Sequence, residues 1–202
     1  MNTTFSLPAW RRILVAIGAL LVLPSVFLPI WKIDFIAPQY PEGLALFIHA
    51  DKLAGDVKII NGLNHYIGMR ELHEDDFVEF TVLPYLLGGL SLLGLGMALI
   101  NKKALYNAYA GLLVIFSVAS LIDFYKWNYE YGHNLDPNAA IKVPGMSYQP
   151  PILGYKQILN FGVYSVPDIG GVLLAIGTAL VLAGTLLIPV NEWMAKRKAT
   201  AS

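Results

Sequence analysis

Cysteine is absent from the 202 residues, which excludes a disulfide scaffold, an iron–sulfur cluster and a thiolate zinc site. Charge is scarce. Asp, Glu, Lys and Arg make up 14% of the chain, and 14 basic residues cancel 14 acidic ones. A soluble domain carries about 25% charged residues, and a nucleic-acid partner requires a basic excess to neutralise phosphates. What remains is apolar, with 56% hydrophobic and 12% aromatic residues and a mean hydropathy of +0.56. Such a chain has too little polar surface to coat a water-soluble globule and too much apolar surface to stay disordered. The composition reads as an integral membrane protein.

A membrane-crossing helix needs about 20 mostly apolar residues. Four stretches qualify, at about 13–30, 82–100, 105–122 and 169–190, and none has a charge in its middle. No proton relay or voltage sensor is therefore visible within the bilayer. Pro24 and Pro29 bend the outer end of the first stretch, where a lost backbone bond is cheapest to replace. Arg11 and Arg12 ahead of an apolar run resemble the start of a signal peptide, but the run ends in Leu-Pro-Ile-Trp instead of small residues. It reads as a retained helix.

Charge sets the orientation. Arg11, Arg12, Lys102, Lys103, Lys196, Arg197 and Lys198 lie on one side with a single acid, Glu192. The segment 31–81 holds 4 basic residues (Lys32, Lys52, Lys58, Arg70) against 9 acids, and 123–168 holds 3 against 4. By the positive-inside rule both termini are cytoplasmic and both long loops face outward, into the periplasm of a bacterial inner membrane. Trp10 and Trp193 would mark one interface, Trp31 and Trp127 the other. The expected fold is an all-α membrane protein, one domain over 1–202, with four helices and two long loops forming a small cap. Small residues that let helices approach recur at Gly171, Ala175, Ala179 and Ala183, and at Gly88, Gly89, Gly94 and Gly96.

The loops, roughly 50 and 45 residues, exceed the roughly 2–8 residues of a plain connector, and all four histidines fall in them. In the first, APQYPEGL (37–44) is an extended stretch with a turn at Glu42-Gly43, and 46–49 has strand character. A turn at Gly55-Asp56 and a short apolar run at 57–60 follow. A helix through 65–73 would put His65, Met69 and His73 on one face, although Gly68 lowers helix propensity there. Imidazole with thioether suits copper, Cu(I) in particular. The alternative leaves His65 in a turn, Met69 packed and His73 solvated.

In the second loop, Asp136-Pro137 starts a short helix through Lys142, and Pro144-Gly145 turns to present Met146. His133 and Met146 would add a third imidazole and a second thioether. Tyr125, Trp127, Tyr129, Tyr131 and Tyr148 read by default as interfacial anchors of a rigid cap. The acids Glu71, Glu74, Asp75, Asp76 and Glu79 form a solvated face or attract cations or a basic partner. Glu71, Glu74, Asp75 and Asp76, with Tyr131 and Tyr148, form the candidate partner surface. Asp168 caps the last helix. No phosphate loop, nucleophile elbow or HExxH motif is present, so nothing marks an enzyme.

The stretches APQYPEGL (37–44), NGLNHYIGM (61–69) and YGHNLDPNAAIKVPGMSYQPP (131–151) resemble a family of small four-helix membrane proteins of Bacteroidetes-type bacteria. These are encoded beside nitrous-oxide-reductase and copper-chaperone genes. The resemblance implies an accessory role in maturing, or supplying copper to, a periplasmic copper enzyme in denitrification. Copper would be held by His65, Met69, His73, His133 and Met146, and the partners would be a copper chaperone or an ABC-type maturation transporter. A second reading makes the chain a docking subunit of a larger membrane complex. A quinol-linked redox subunit ranks last, because no histidine falls in a membrane stretch to ligate haem.

Overall fold

The computed structural model describes residues 8–186. Four of its helices are long and apolar enough to cross a membrane: Ala9–Val26, Val78–Ile100, Lys103–His133 and Ile169–Leu186. The first comprises α1 (Ala9–Val22) and a 3-10 turn at Leu23–Val26, so it ends before Ile30, with Pro24 tightening its last turn. In chain order the other helices are α2 (Val57–Ile67), α3 (Val78–Ile100), α4 (Lys103–His133) and α5 (Ile169–Leu186). Positions 187–190 of the fourth stretch, Trp193 and the C-terminal basic residues lie outside the described residues. The α3–α4 hairpin is as tight as expected, with Asn101 in the left-handed conformation at φ 55°.

The chain is not all-α. Between α1 and α2 run β1 (Trp31–Ala37), β2 (Tyr40–Ile48) and β3 (Leu53–Gly55), and before α5 come β4 (Gly154–Ile158) and β5 (Phe161–Pro167). They form one antiparallel sheet in the order β3-β2-β1-β5-β4. The two loops are therefore one structure, closed where β1 pairs with β5 in the register Phe35↔Val163. The turn placed at Glu42-Gly43 is at Pro38-Gln39. Gly43, at φ 80°, sits inside β2 opposite a register shift between Phe35 and Ala37. The run at 57–60 is the first turn of α2. No helix forms after Asp136: its carboxylate accepts from the Asn138 amide (2.8 Å), while the Ile141 amide is drawn to the Tyr66 carbonyl (2.9 Å).

The helices pack through close backbone approach, on only part of the expected stripes: Gly171 abuts the Ile30 carbonyl. Gly177 and Gly184 of α5 are buried and face α1, and Gly170 is buried against the Leu28 and Pro29 carbonyls beyond it, whereas Ala175 and Ala179 are exposed. A Cβ on Gly177 would lie 2.6 Å from the Gly18 carbonyl oxygen, and one on Gly18 equally close to that of Gly177. In α3 only Gly94 approaches a neighbour, the Tyr109 ring; Gly88, Gly89 and Gly96 face open space. The α4 helix has 31 residues, about 46 Å at 1.5 Å per residue, so it outruns a hydrocarbon core of about 30 Å. Its apolar part is the 105–122 stretch, and its last turns rise into the cap. There Phe124, Trp127 and Tyr131 pack with the sheet face and α2 in a core separate from that of the bundle.

Candidate functional site

Alternation along the strands builds one face of the site. Ile33 and Phe35 of β1, Leu46 of β2 and Val163 of β5 share the inward face of the sheet, while Lys32 and Asp34 point out and pair with each other (2.9 Å). Opposite this face lies α2, whose Ile60, Leu63, Asn64 and Ile67 recur at the 3, 4 and 7 spacing of a single helical stripe. Asp56 precedes α2 without capping it, because its carboxylate accepts from the Ala45 amide (2.8 Å) and ties the helix to β2.

Sheet and helix do not close completely on one another. Between them lies a cavity of about 400 Å³, within the roughly 300–1,000 Å³ of small-molecule sites. Trp127, Asn128 and Tyr131 of α4 wall its inner end, and Gln39, Leu159 and Asn160 from two hairpin tips form its rim. A strap at 134–153 crosses one side and contributes Ile141, Tyr148 and Pro150. No Asp, Glu, Lys, Arg or His lines it. The side-chain nitrogens of Asn64 and Asn128 donate to the carbonyls of Arg70 (3.4 Å) and Phe124 (3.0 Å).

The strap is held by backbone bonds. The Asp136 amide donates to the Gly68 carbonyl (2.8 Å), Ile141 to Tyr66 (2.9 Å), and Tyr148 to Gly132 (2.9 Å). Gly68 adopts φ 80° at the end of α2, and a Cβ there would meet Ala139 at 2.9 Å and the Asp136 carbonyl at 3.0 Å. Both conformation and space therefore require glycine at this position.

That left-handed residue also breaks the expected helical face. α2 stops at Ile67, and Asn61 clamps the returning chain: its amide donates to the Leu72 carbonyl (3.1 Å) while its oxygen accepts from the Leu72 amide (2.8 Å). His65, Met69 and His73 consequently share no helix. His65 is exposed beside Tyr66, Met69 packs on the cap core, and His73 pairs with Glu71 at 3.3 Å. His133 stacks on Tyr129 at 3.9 Å and donates from Nδ1 to the Tyr129 carbonyl (2.9 Å). Met146 follows the turn at Gly145 (φ 75°) but packs inward. Among the described residues no three His, Cys, Asp or Glu side chains are grouped as metal ligands.

Tyr131 and Tyr148 are 3% and 2% exposed, so they are core residues and not a partner surface. Burial raises the Tyr131 phenol above its ordinary value of 10.0, the Arg70 guanidinium pulls it down, and Asp76 adds a further upward push. Trp31 bonds Ser165 (2.8 Å) and packs on Phe124, so it and Trp127 serve the base of the cap. Glu71, Glu74, Asp75 and Asp76 are exposed; Glu74 accepts from the Leu53 amide (3.0 Å) and so pins β3. Asp168 directly precedes α5; its carboxylate accepts from the adjacent Ile169 amide (2.6 Å), not from the second or third helical amide that a cap would serve. No known family, curated protein or solved structure matches the chain.

Proposed function

We propose that the chain is an accessory protein of the bacterial inner membrane, both termini cytoplasmic, whose periplasmic cap is a binding module for an apolar ligand. The observation that carries this reading is the cavity of about 400 Å³ with no ionisable side chain except tyrosine in its lining. An apolar cleft with a few amide and hydroxyl groups is the common form of a small-molecule site. The orientation rests on the charge bias of the connecting segments. Copper supply to a nitrous oxide reductase gains less from this arrangement, because His73 and His133 each have a different local partner.

Two measurements test the reading. The first is binding of the neutral dye N-phenyl-1-naphthylamine to full-length protein in phosphatidylcholine nanodiscs, with Val163→Phe filling the cavity. Saturable fluorescence above that of empty nanodiscs, lost in the variant, supports it; no difference between the two proteins refutes it. Because cysteine is absent, single cysteines at Asn134 and Lys102 report topology cleanly. Labelling of Asn134→Cys from the cytoplasmic side would overturn the orientation.

A further inference from the structure

We infer that the cavity selects a neutral ligand carrying a hydroxyl, which donates to the side-chain oxygens of Asn64 and Asn128. The inference rests on the ligand-binding reading above and adds a polar criterion that an apolar lining does not set by itself. Both asparagines line the cavity and both are buried, Asn128 of α4 being 2% exposed and Asn64 of α2 8%. Each amide is anchored at one end only. The nitrogen of Asn128 donates to the Phe124 carbonyl (3.0 Å), and that of Asn64 to the Arg70 carbonyl (3.4 Å). A backbone carbonyl only accepts, so the amide group turned toward it is the nitrogen, and the oxygen is turned the other way.

Among the described residues no donor reaches Oδ1 of either asparagine. Neither oxygen is sealed within packed atoms as the Tyr109 hydroxyl is, so what meets them is the content of the cavity. Buried polar atoms are paired in the great majority of cases, and these two acceptors have only a ligand or water to pair with. The other polar groups of the lining discriminate less. The Tyr131 phenol is turned to Asp76 (3.5 Å), and Gln39 and Asn160 bond each other (3.4 Å) at the exposed rim, where water replaces any bond a ligand fails to make. A ligand without a donor that displaces water from a buried acceptor returns nothing, a loss of roughly 5- to 100-fold in affinity. The donor is a hydroxyl and not an ammonium, because no Asp or Glu lines the cavity to balance a cation beside Asn128.

The test is displacement of N-phenyl-1-naphthylamine from full-length protein in phosphatidylcholine nanodiscs by 2-naphthol and by 2-methoxynaphthalene. Both carry the same ring, suited to Trp127 and Tyr131 on either side of Asn128 in the wall, and only the naphthol has a donor. Each affinity is corrected for partition into empty nanodiscs. Naphthol should bind roughly 5-fold or more tightly than the ether. Asn128→Leu and Asn64→Leu keep the side-chain volume and remove the oxygen. In each the preference for naphthol should shrink, while the ether binds at least as well as to the parent protein, which shows that the cavity still forms. The variants also separate the donor from the extra methyl of the ether, since only the donor depends on an asparagine oxygen. Asn128→Ala repeats the measurement if leucine prevents folding. Equal affinities of naphthol and ether in the parent protein overturn the inference, as does a preference that survives unchanged in both asparagine variants. If the dye still binds and is lost in Val163→Phe, the apolar-ligand reading then stands without hydroxyl selection. If neither dye nor naphthol binds the parent protein, both readings fall.

Discussion

Gly132 is where α4 and the strap come closest, and Gly132→Ala should release the strap without unfolding the protein. A Cβ there would lie 2.4 Å from both the nitrogen and the Cα of Gln149. Backbone cannot yield as a flexible side chain does, so residues 148–150 must retreat by about 1 Å to reach ordinary contact. Overpacking of this kind costs about 1–3 kcal/mol. If the Tyr148–Gly132 bond (2.9 Å) breaks as well, about 0.5–1.5 kcal/mol is added. Together these amount to about 1.5–4.5 kcal/mol, or roughly a 10- to 2,000-fold rise in local opening. Hydrogen exchange at the Tyr148 and Ile141 amides, with α1 and α5 amides as internal reference, reads that ratio directly. Gly111→Ala is the control, since nothing lies within 4 Å of its added carbon and alanine favours a helix by about 1 kcal/mol. Unchanged Tyr148 exchange in Gly132→Ala would show that the strap is not wedged against α4. Equal acceleration across the bundle would show that cap and bundle are one cooperative unit.

Three further outcomes are expected. Gly177→Ala should lower the melting temperature in mild detergent, because its Cβ meets the Gly18 carbonyl at 2.6 Å, whereas Gly88→Ala, facing open space, should not; equal melting points would place the α1–α5 seam elsewhere. Asn61→Ala removes both bonds that turn the chain back after Gly68, at a cost of about 1–3 kcal/mol, and should speed exchange of the Leu72 amide; retained protection would refute the clamp. The raised Tyr131 phenol means that the unfolded chain releases this proton first as pH climbs. The folded state then holds more protons, so its stability is intact below the ordinary value of 10.0 and declines as pH rises through the higher folded value. Tyr131→Phe should flatten that alkaline decline, measured as cap melting against pH, and an identical decline in the variant would remove Tyr131 from the account.

Part of the site was legible in residue order alone. Ile60, Leu63, Asn64 and Ile67 carry a helical stripe, and Ile33 with Phe35 alternates as a strand does. The stripe is overlooked when 57–60 is read as an isolated apolar run, and carrying a helix past Gly68 produces an i, i+4, i+8 ligand face that the chain never forms. The signal against that face was local: a glycine at the helix end, and asparagines whose side chains bond backbone in turns. The cavity left no comparable mark, because its walls come from β1, α2, α4, β5 and the strap, which are distant in sequence.

Composition and periodicity fix the four apolar helices and the charge difference between their connections, because helical hydrogen bonds close within four residues and a helix carries its own pattern. The tight hairpin at Asn101 follows for the same reason: it is settled by neighbours in the chain. The sheet is a different kind of object. Phe35 meets Val163 and Trp31 meets Pro167, pairings no local pattern specifies, since strand bonds are satisfied only by a partner the tertiary fold brings near. Folding the two loops into one sheet made Tyr131 and Tyr148 core residues and left an apolar cavity beneath α2.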